Sequence, residues 1–89
     1  MDKRGIGEKQ MSKEEIFNIL KDAIEYIVPE IETDNLTSED SLKELGANSV
    51  DRAEIIIMVM EDTHVKLPLV SFGMSKNIGE IVDVIYNAL

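Results

Sequence analysis

Leu45-Gly46-Ala47-Asn48-Ser49-Val50-Asp51-Arg52-Ala53-Glu54-Ile55-Ile56-Ile57 joins a glycine turn to the start of an acidic, apolar helix. Gly46 permits a sharp turn that lifts the residues after it off the core. The spacing then predicts a helix from about Ser49 to Asp62. Between Ile55 and Met60 it is apolar almost all round, so it is either central or offers a second apolar face to a partner. One stripe runs through Ile55, Ile56, Val59 and Thr63 and is the expected core face. The other runs through Val50, Ala53, Ile57 and Met60, rimmed by Asp51, Glu54 and Glu61, and is the expected partner face.

Upstream, Ser12-Lys13-Glu14-Glu15 has the form of a capping box. Ile16, Phe17, Leu20, Ile24, Ile27 and Val28 follow at helical spacing, and Pro29 closes the segment because it disfavours helical geometry just before itself. The first helix is expected at about 12–28. Residues 1–11 are polar, carry two glycines and show no apolar period, so they are expected to form a flexible tail ahead of a folded domain over 12–89. Residues 29–45 make a long connection, expected to be pinned by Leu36, Leu42 and Leu45, with a turn of helix at 40–45.

Downstream, Pro68 opens a short third helix in Leu67-Pro68-Leu69-Val70-Ser71-Phe72-Gly73. A strand there is the weaker alternative, having no pairing partner. Asn77-Ile78-Gly79-Glu80 is a second capping pattern, and Ile78, Ile81, Val82, Ile85 and Leu89 place a final helix at about 77–88. The expected fold is all-α: a small four-helix bundle, three longer helices and one short, around an aliphatic core.

Composition narrows the function. Eighty-nine residues make one small domain. Without cysteine there are no disulfides and no thiolate metal sites, which fits a cytoplasmic setting. No run approaches the ~18 apolar residues of a membrane span, and the N-terminus lacks a basic-then-apolar signal pattern. Acids outnumber bases 18 to 9, and from Glu30 to Asp62 ten acids face only Lys43 and Arg52. Phosphate backbones and anionic membranes need the opposite field. Proteins with basic patches are the expected partners, although acidity also serves solubility alone.

No catalytic set is evident. A nucleophilic serine needs a base within hydrogen-bond reach. The sole histidine, His64, lies fifteen residues beyond Ser49, about 22 Å away along one helix. It reads as a solvated helix-end residue. A calcium loop counted from Asp34 fails, with Leu36 third and Glu39 sixth where an oxygen ligand and a glycine belong. Zinc clusters and phosphate-cradling glycine loops are absent. Ser49 remains as a residue that another enzyme modifies. A phosphodiester on it would lie in the favourable field of unpaired first-turn amides. The structural alternative is that Ser49 or Asn48 is simply the helix N-cap.

The run Leu45-Gly46-Ala47-Asn48-Ser49-Val50 resembles the Gly-x-Asp-Ser-Leu attachment motif of acyl carrier proteins. The resemblance extends over about residues 12–89 and includes Asp40-Ser41-Leu42, the acidic second helix, the Leu67-Pro68 step and the final helix. It implies that a phosphopantetheinyl transferase attaches 4′-phosphopantetheine from coenzyme A to Ser49, whose thiol then holds acyl groups as thioesters for other enzymes. It also implies a carrier that performs no catalysis, with Val50, Asp51, Glu54 and Ile57 at partner-facing positions. Two departures stand out: Asn48 where the family usually has Asp, and the apolar Leu69-Val70-Ser71-Phe72 where fatty-acid carriers are usually acidic. With the strings GANSVDRAEI and LPLVSFG-x-x-KNIGE, these are similar to free-standing carriers of polyketide β-branching cassettes. That narrower resemblance implies an acetyl unit, made by decarboxylating malonyl, delivered to an HMG-CoA-synthase-like enzyme. It brings an acyltransferase and a decarboxylating ketosynthase-like enzyme as further partners and a monomeric shuttle. A general fatty-acid or peptidyl carrier, or an unmodified helical interaction module, are the competing readings.

Overall fold

The computed structural model describes residues 11–89. Helix α1 spans Lys13–Ile27, α2 spans Ser49–Thr63 and α3 spans Ile78–Ala88, with a 3₁₀ turn at Leu69–Phe72 between the last two. Among the described residues the fold is all-helical, as the periodicity predicts. The short fourth element is a 3₁₀ turn rather than an α-helix. Pro68 stands just outside it, at the N-cap, with extended backbone. The expected tail over 1–11 lies outside the described residues except for Met11, which is half-buried against the core.

The first helix begins and ends for the expected reasons, one residue inside the expected bounds. Ser12 is the cap: its hydroxyl accepts from the Glu15 amide at 3.1 Å, and the Glu15 carboxylate accepts from the Ser12 amide at 2.8 Å. Val28, held out of helical geometry by Pro29, is the C-cap. Ile16, Leu20, Ala23 and Ile24 form its buried stripe. Both α2 and α3 pack on α1, which is the scaffold of the bundle.

The long connection is anchored more deeply than its leucines alone predict. Leu42 is buried and Leu36 and Leu45 are half-buried, as expected, but Ile31 and Thr33 are buried too. The Thr33 hydroxyl donates to the Glu25 carboxylate of α1, which satisfies its burial. The loop also supplies acceptors to α3. The Asp40 carbonyl accepts from the Ile78 amide at 2.9 Å, and the Ser38 carbonyl accepts from the Gly79 amide at 2.8 Å. A Cβ on Gly79 would lie 3.1 Å from Ser38 Cβ and 3.2 Å from its carbonyl oxygen, so glycine there lets the loop close on the helix. Asn77 caps α3 through the Glu80 amide at 2.9 Å, while the Glu80 carboxylate reaches past it to the Lys76 amide.

Helix α2 ends in a Schellman motif that explains a departure from expectation. The Val65 amide donates to the Met60 carbonyl at 3.0 Å and the His64 amide to that of Glu61 at 3.3 Å. His64 adopts left-handed geometry, φ 59°. This arrangement favours contact between the residue after the turn and the residue five before it. Here those are Val65 and Met60, both buried. Met60, expected on the exposed partner stripe, is only 9% exposed for this reason.

A non-glycine residue in left-handed geometry is strained. His64→Gly is therefore expected to stabilise the fold by about 0.5–1 kcal/mol, net of the extra freedom glycine gives the unfolded chain. A thermal melt should show Tm raised by several degrees. An unchanged or lowered Tm would mean that the His64 side chain contributes contacts outweighing its strain.

Candidate modification site

The site is built by a short helical turn, a glycine and a buried alanine. Ser41 starts the turn: its hydroxyl accepts from the Glu44 amide at 3.3 Å and its carbonyl from the Leu45 amide at 2.9 Å. A second Schellman pattern stops it. The Ala47 amide donates to Leu42 at 3.0 Å and the Gly46 amide to Lys43 at 3.1 Å. Gly46 has φ 111°, a conformation that side chains rarely adopt. Ala47 then inserts into the core with its motif partner Leu42.

Asn48 follows as the cap of α2. Its side-chain oxygen accepts from the Asp51 amide at 2.8 Å, and the Asp51 carboxylate accepts from the Asn48 amide at 3.2 Å. This reciprocal box assigns the capping role to Asn48 and places Ser49 one position inside the helix. The Ser49 side chain is exposed, and its hydroxyl takes no hydrogen bond within the described residues. Among the described residues the amides of Ser49 and Val50 also have no acceptor, although the Asp51 carboxylate lies in the same first turn.

The face expected to meet partners is exposed only in part. Val50 is 63% exposed, Ile57 41% exposed, Glu54 exposed and Ala53 half-buried. Met60 is mostly buried but still lines the groove in which this face ends. Asp51 is half-buried, and its carboxylate is engaged in the capping box, so it is part of the fold as well as of the surface. The core stripe Ile55, Ile56, Val59 and Thr63 is buried throughout. Beyond Ile57 the face continues into an open groove of about 620 Å³ lined with Val65, Leu67 and Pro68. Leu69 and Val70 are exposed beside it, Val70 at 79%.

One residue escaped the sequence reading. Arg52 sends Nη1 back to the Ala47 carbonyl at 2.8 Å and ties the first turn of α2 to the joint before it. Its signal was its isolation as one of two bases in a long acidic stretch, but only the folded turn reveals the acceptor. His64 stands past the far end of the continuous helix that Ser49 begins, about 22 Å along its axis. The helix thus keeps them apart, and no group of three or more His, Cys, Asp or Glu suited to a metal occurs among the described residues.

An exposed, uncapped serine at a helix start fits comparison with known families. Residues 15–85 match the phosphopantetheine attachment site family. The chain is an acyl carrier protein of that family. Over 77 residues the carrier is 47% identical to the polyketide biosynthesis acyl-carrier-protein AcpK of Bacillus subtilis (strain 168), covering 86% of this chain and 94% of that relative. It also superposes, with a TM-score of 0.79 and 47% identity, on a chain from the crystal structure of the curacin biosynthetic pathway HMG synthase in complex with acetyl donor-ACP. That match covers 86% of the carrier and 99% of the other chain. Family membership brings a covalent 4′-phosphopantetheine. The residues fit such a group: a free hydroxyl is available for attachment, and unpaired amides beside it favour an anionic linkage.

The division of roles between neighbours has a thermodynamic signature. Asn48→Ala should cost about 1 kcal/mol, the usual loss for a missing N-cap, and lower Tm by several degrees. Ser49→Ala should leave the melt of the unmodified carrier nearly unchanged. Equal losses in the two variants would return the cap to Ser49.

Proposed function

We propose that Ser49 bears the 4′-phosphopantetheine and that the carrier delivers an acetyl unit, derived from malonyl, to an HMG-CoA-synthase-like enzyme in polyketide β-branching. The observation that carries this reading is the exposed Ser49 hydroxyl at the first helical position, with Asn48 doing the capping. Its likeness to AcpK and to the donor carrier seen with HMG synthase supports the pathway. When bound, the arm supplies a thiol that holds acyl groups as thioesters.

The chain's own part is to position and present. Gly46 and Ala47 set the joint, Asn48 and Asp51 start the helix, and the amides of Ser49 and Val50 favour negative charge at the linkage. With His64 beyond the far end of α2 from Ser49, the carrier leaves attachment to a phosphopantetheinyl transferase, and loading and processing to acyltransferase, decarboxylating ketosynthase-like and HMG-CoA-synthase-like partners. Glu54 at the rim steers these enzymes through charge, while Val50 and Ile57 supply apolar contact. The carrier acts as a cytoplasmic monomer and as a substrate, not as a catalyst.

Co-expression with a pantetheinyl transferase tests the anchor. The intact mass should rise by one phosphopantetheine, and Ser49→Ala should abolish the rise. An unmodified mass under conditions that convert a control carrier leaves an acidic interaction module. Loading by malonyl transfer, followed by turnover with a β-branching synthase, is expected; loading only by aminoacyl-adenylating enzymes would make it a peptidyl carrier.

The partner face separates from the core by mutation. Glu54→Lys should slow association with a partner enzyme about tenfold or more at low salt, with the difference fading as ionic strength rises. Its Tm should hardly move. Ile57→Ala should weaken partner binding by about 1–2 kcal/mol, whereas buried Ile81→Ala should cost about 2–5 kcal/mol of stability. A collapsed melt for Glu54→Lys would remove this face from the surface.

A further inference from the structure

The chain carries a formal charge of −9, yet one groove of about 440 Å³ is lined by three cations and no acid. Lys43 comes from the turn before Ser49, Arg52 from the first turn of α2, and Lys76 from the segment entering α3. Its floor is apolar, formed by the buried Leu42, Ile56, Phe72 and Ile81. None of the three cations forms an ion pair with a described residue. Arg52 gives Nη1 to the Ala47 carbonyl, which leaves most of the five guanidinium donors free.

Unpaired cations over an apolar floor suit a ligand with a short apolar body and an anionic end. Charge-assisted hydrogen bonds to a carboxylate are the strong kind, and Arg presents a fork matched to it. A free anion in solution is repelled by the net charge. A tethered one is held at millimolar effective concentration and avoids that barrier. The groove begins next to the anchor, since Arg52 follows Ser49 by three residues, ~5 Å along the helix.

We infer that this groove receives the carboxylate of a short carboxyl-ended acyl group, a malonyl-type half-thioester, carried on the arm at Ser49. The inference rests on the reading of Ser49 as the anchor. Lys43, Arg52 and Lys76 distinguish such a cargo from its neutral acetyl counterpart, which offers the cations no charge. The groove thereby makes the carrier respond to the charge of what it holds.

The test uses the isotope-labelled full chain in three forms: arm alone, acetyl-loaded and malonyl-loaded. NMR should show the Arg52 Nε–H signal and the amides around Lys43, Phe72 and Lys76 shifting in the malonyl form only. High salt should diminish that shift. Lys43→Gln/Lys76→Gln, at two exposed positions, should remove most of it without changing Tm, and Arg52→Gln should remove the rest. Identical malonyl and acetyl spectra overturn the inference, as does a malonyl shift that persists in the triple variant. A shift already complete with the arm alone overturns it too, since the bound anion is then the phosphodiester. If the mass shows that Ser49 takes no arm, both readings fall; if the arm is loaded and the malonyl spectrum matches the acetyl one, only this one does.

Discussion

The site depends on the joint between the 41–45 turn and α2. Gly46 reverses the chain at φ 111°, Ala47 turns inward to the core, and Asn48 exchanges hydrogen bonds with Asp51. Each step needs the one before it. A residue with a side chain at 46 is strained, a larger one at 47 meets packed neighbours, and without Asn48 the next hydroxyl would become the nearest substitute cap. Because the capping demand is met one residue early, Ser49 is relieved of a structural role.

The same joint explains why α2 can show two characters. Its inner stripe, from Ile55 to Thr63, packs on α1, and its C-terminal Schellman turn draws Met60 in against Val65. Its outer surface keeps Val50, Glu54 and Ile57. A helix that is apolar nearly all round thus divides into a core face and a presenting face. The split is set by where its two ends are tied down, and Arg52 ties the first of them by gripping Ala47.

Charge is partitioned as well. The overall acidity faces solvent, where it favours the approach of positively charged surfaces. The positive end of α2 and the cations of the neighbouring groove collect beside Ser49. Positive groups thus lie near Ser49 in a protein of net negative charge, with the Asp51 carboxylate sharing the same first turn. That combination favours the approach of positively charged surfaces from a distance and tolerates negative charge at the helix start.

What could be read without coordinates was whatever depends on neighbours along the chain. The capping box at Ser12, the Asn77 cap, the stop at Pro29, the turn at Gly46 and the stripes of α1 and α3 are local, because caps and helical periods involve residues three or four apart. The serine motif and the all-α class followed from the same kind of evidence. Tertiary structure alone decided which of Asn48 and Ser49 caps, that Met60 is core, that Thr33 is buried against Glu25, and that Lys43, Arg52 and Lys76 share a groove. Thr33 with Glu25 and the three cations meet only when separate segments pack, and packing has no fixed period in sequence. The Asn48 cap and the Met60 turn are local, but the sequence offers rival candidates among which only the folded backbone chooses.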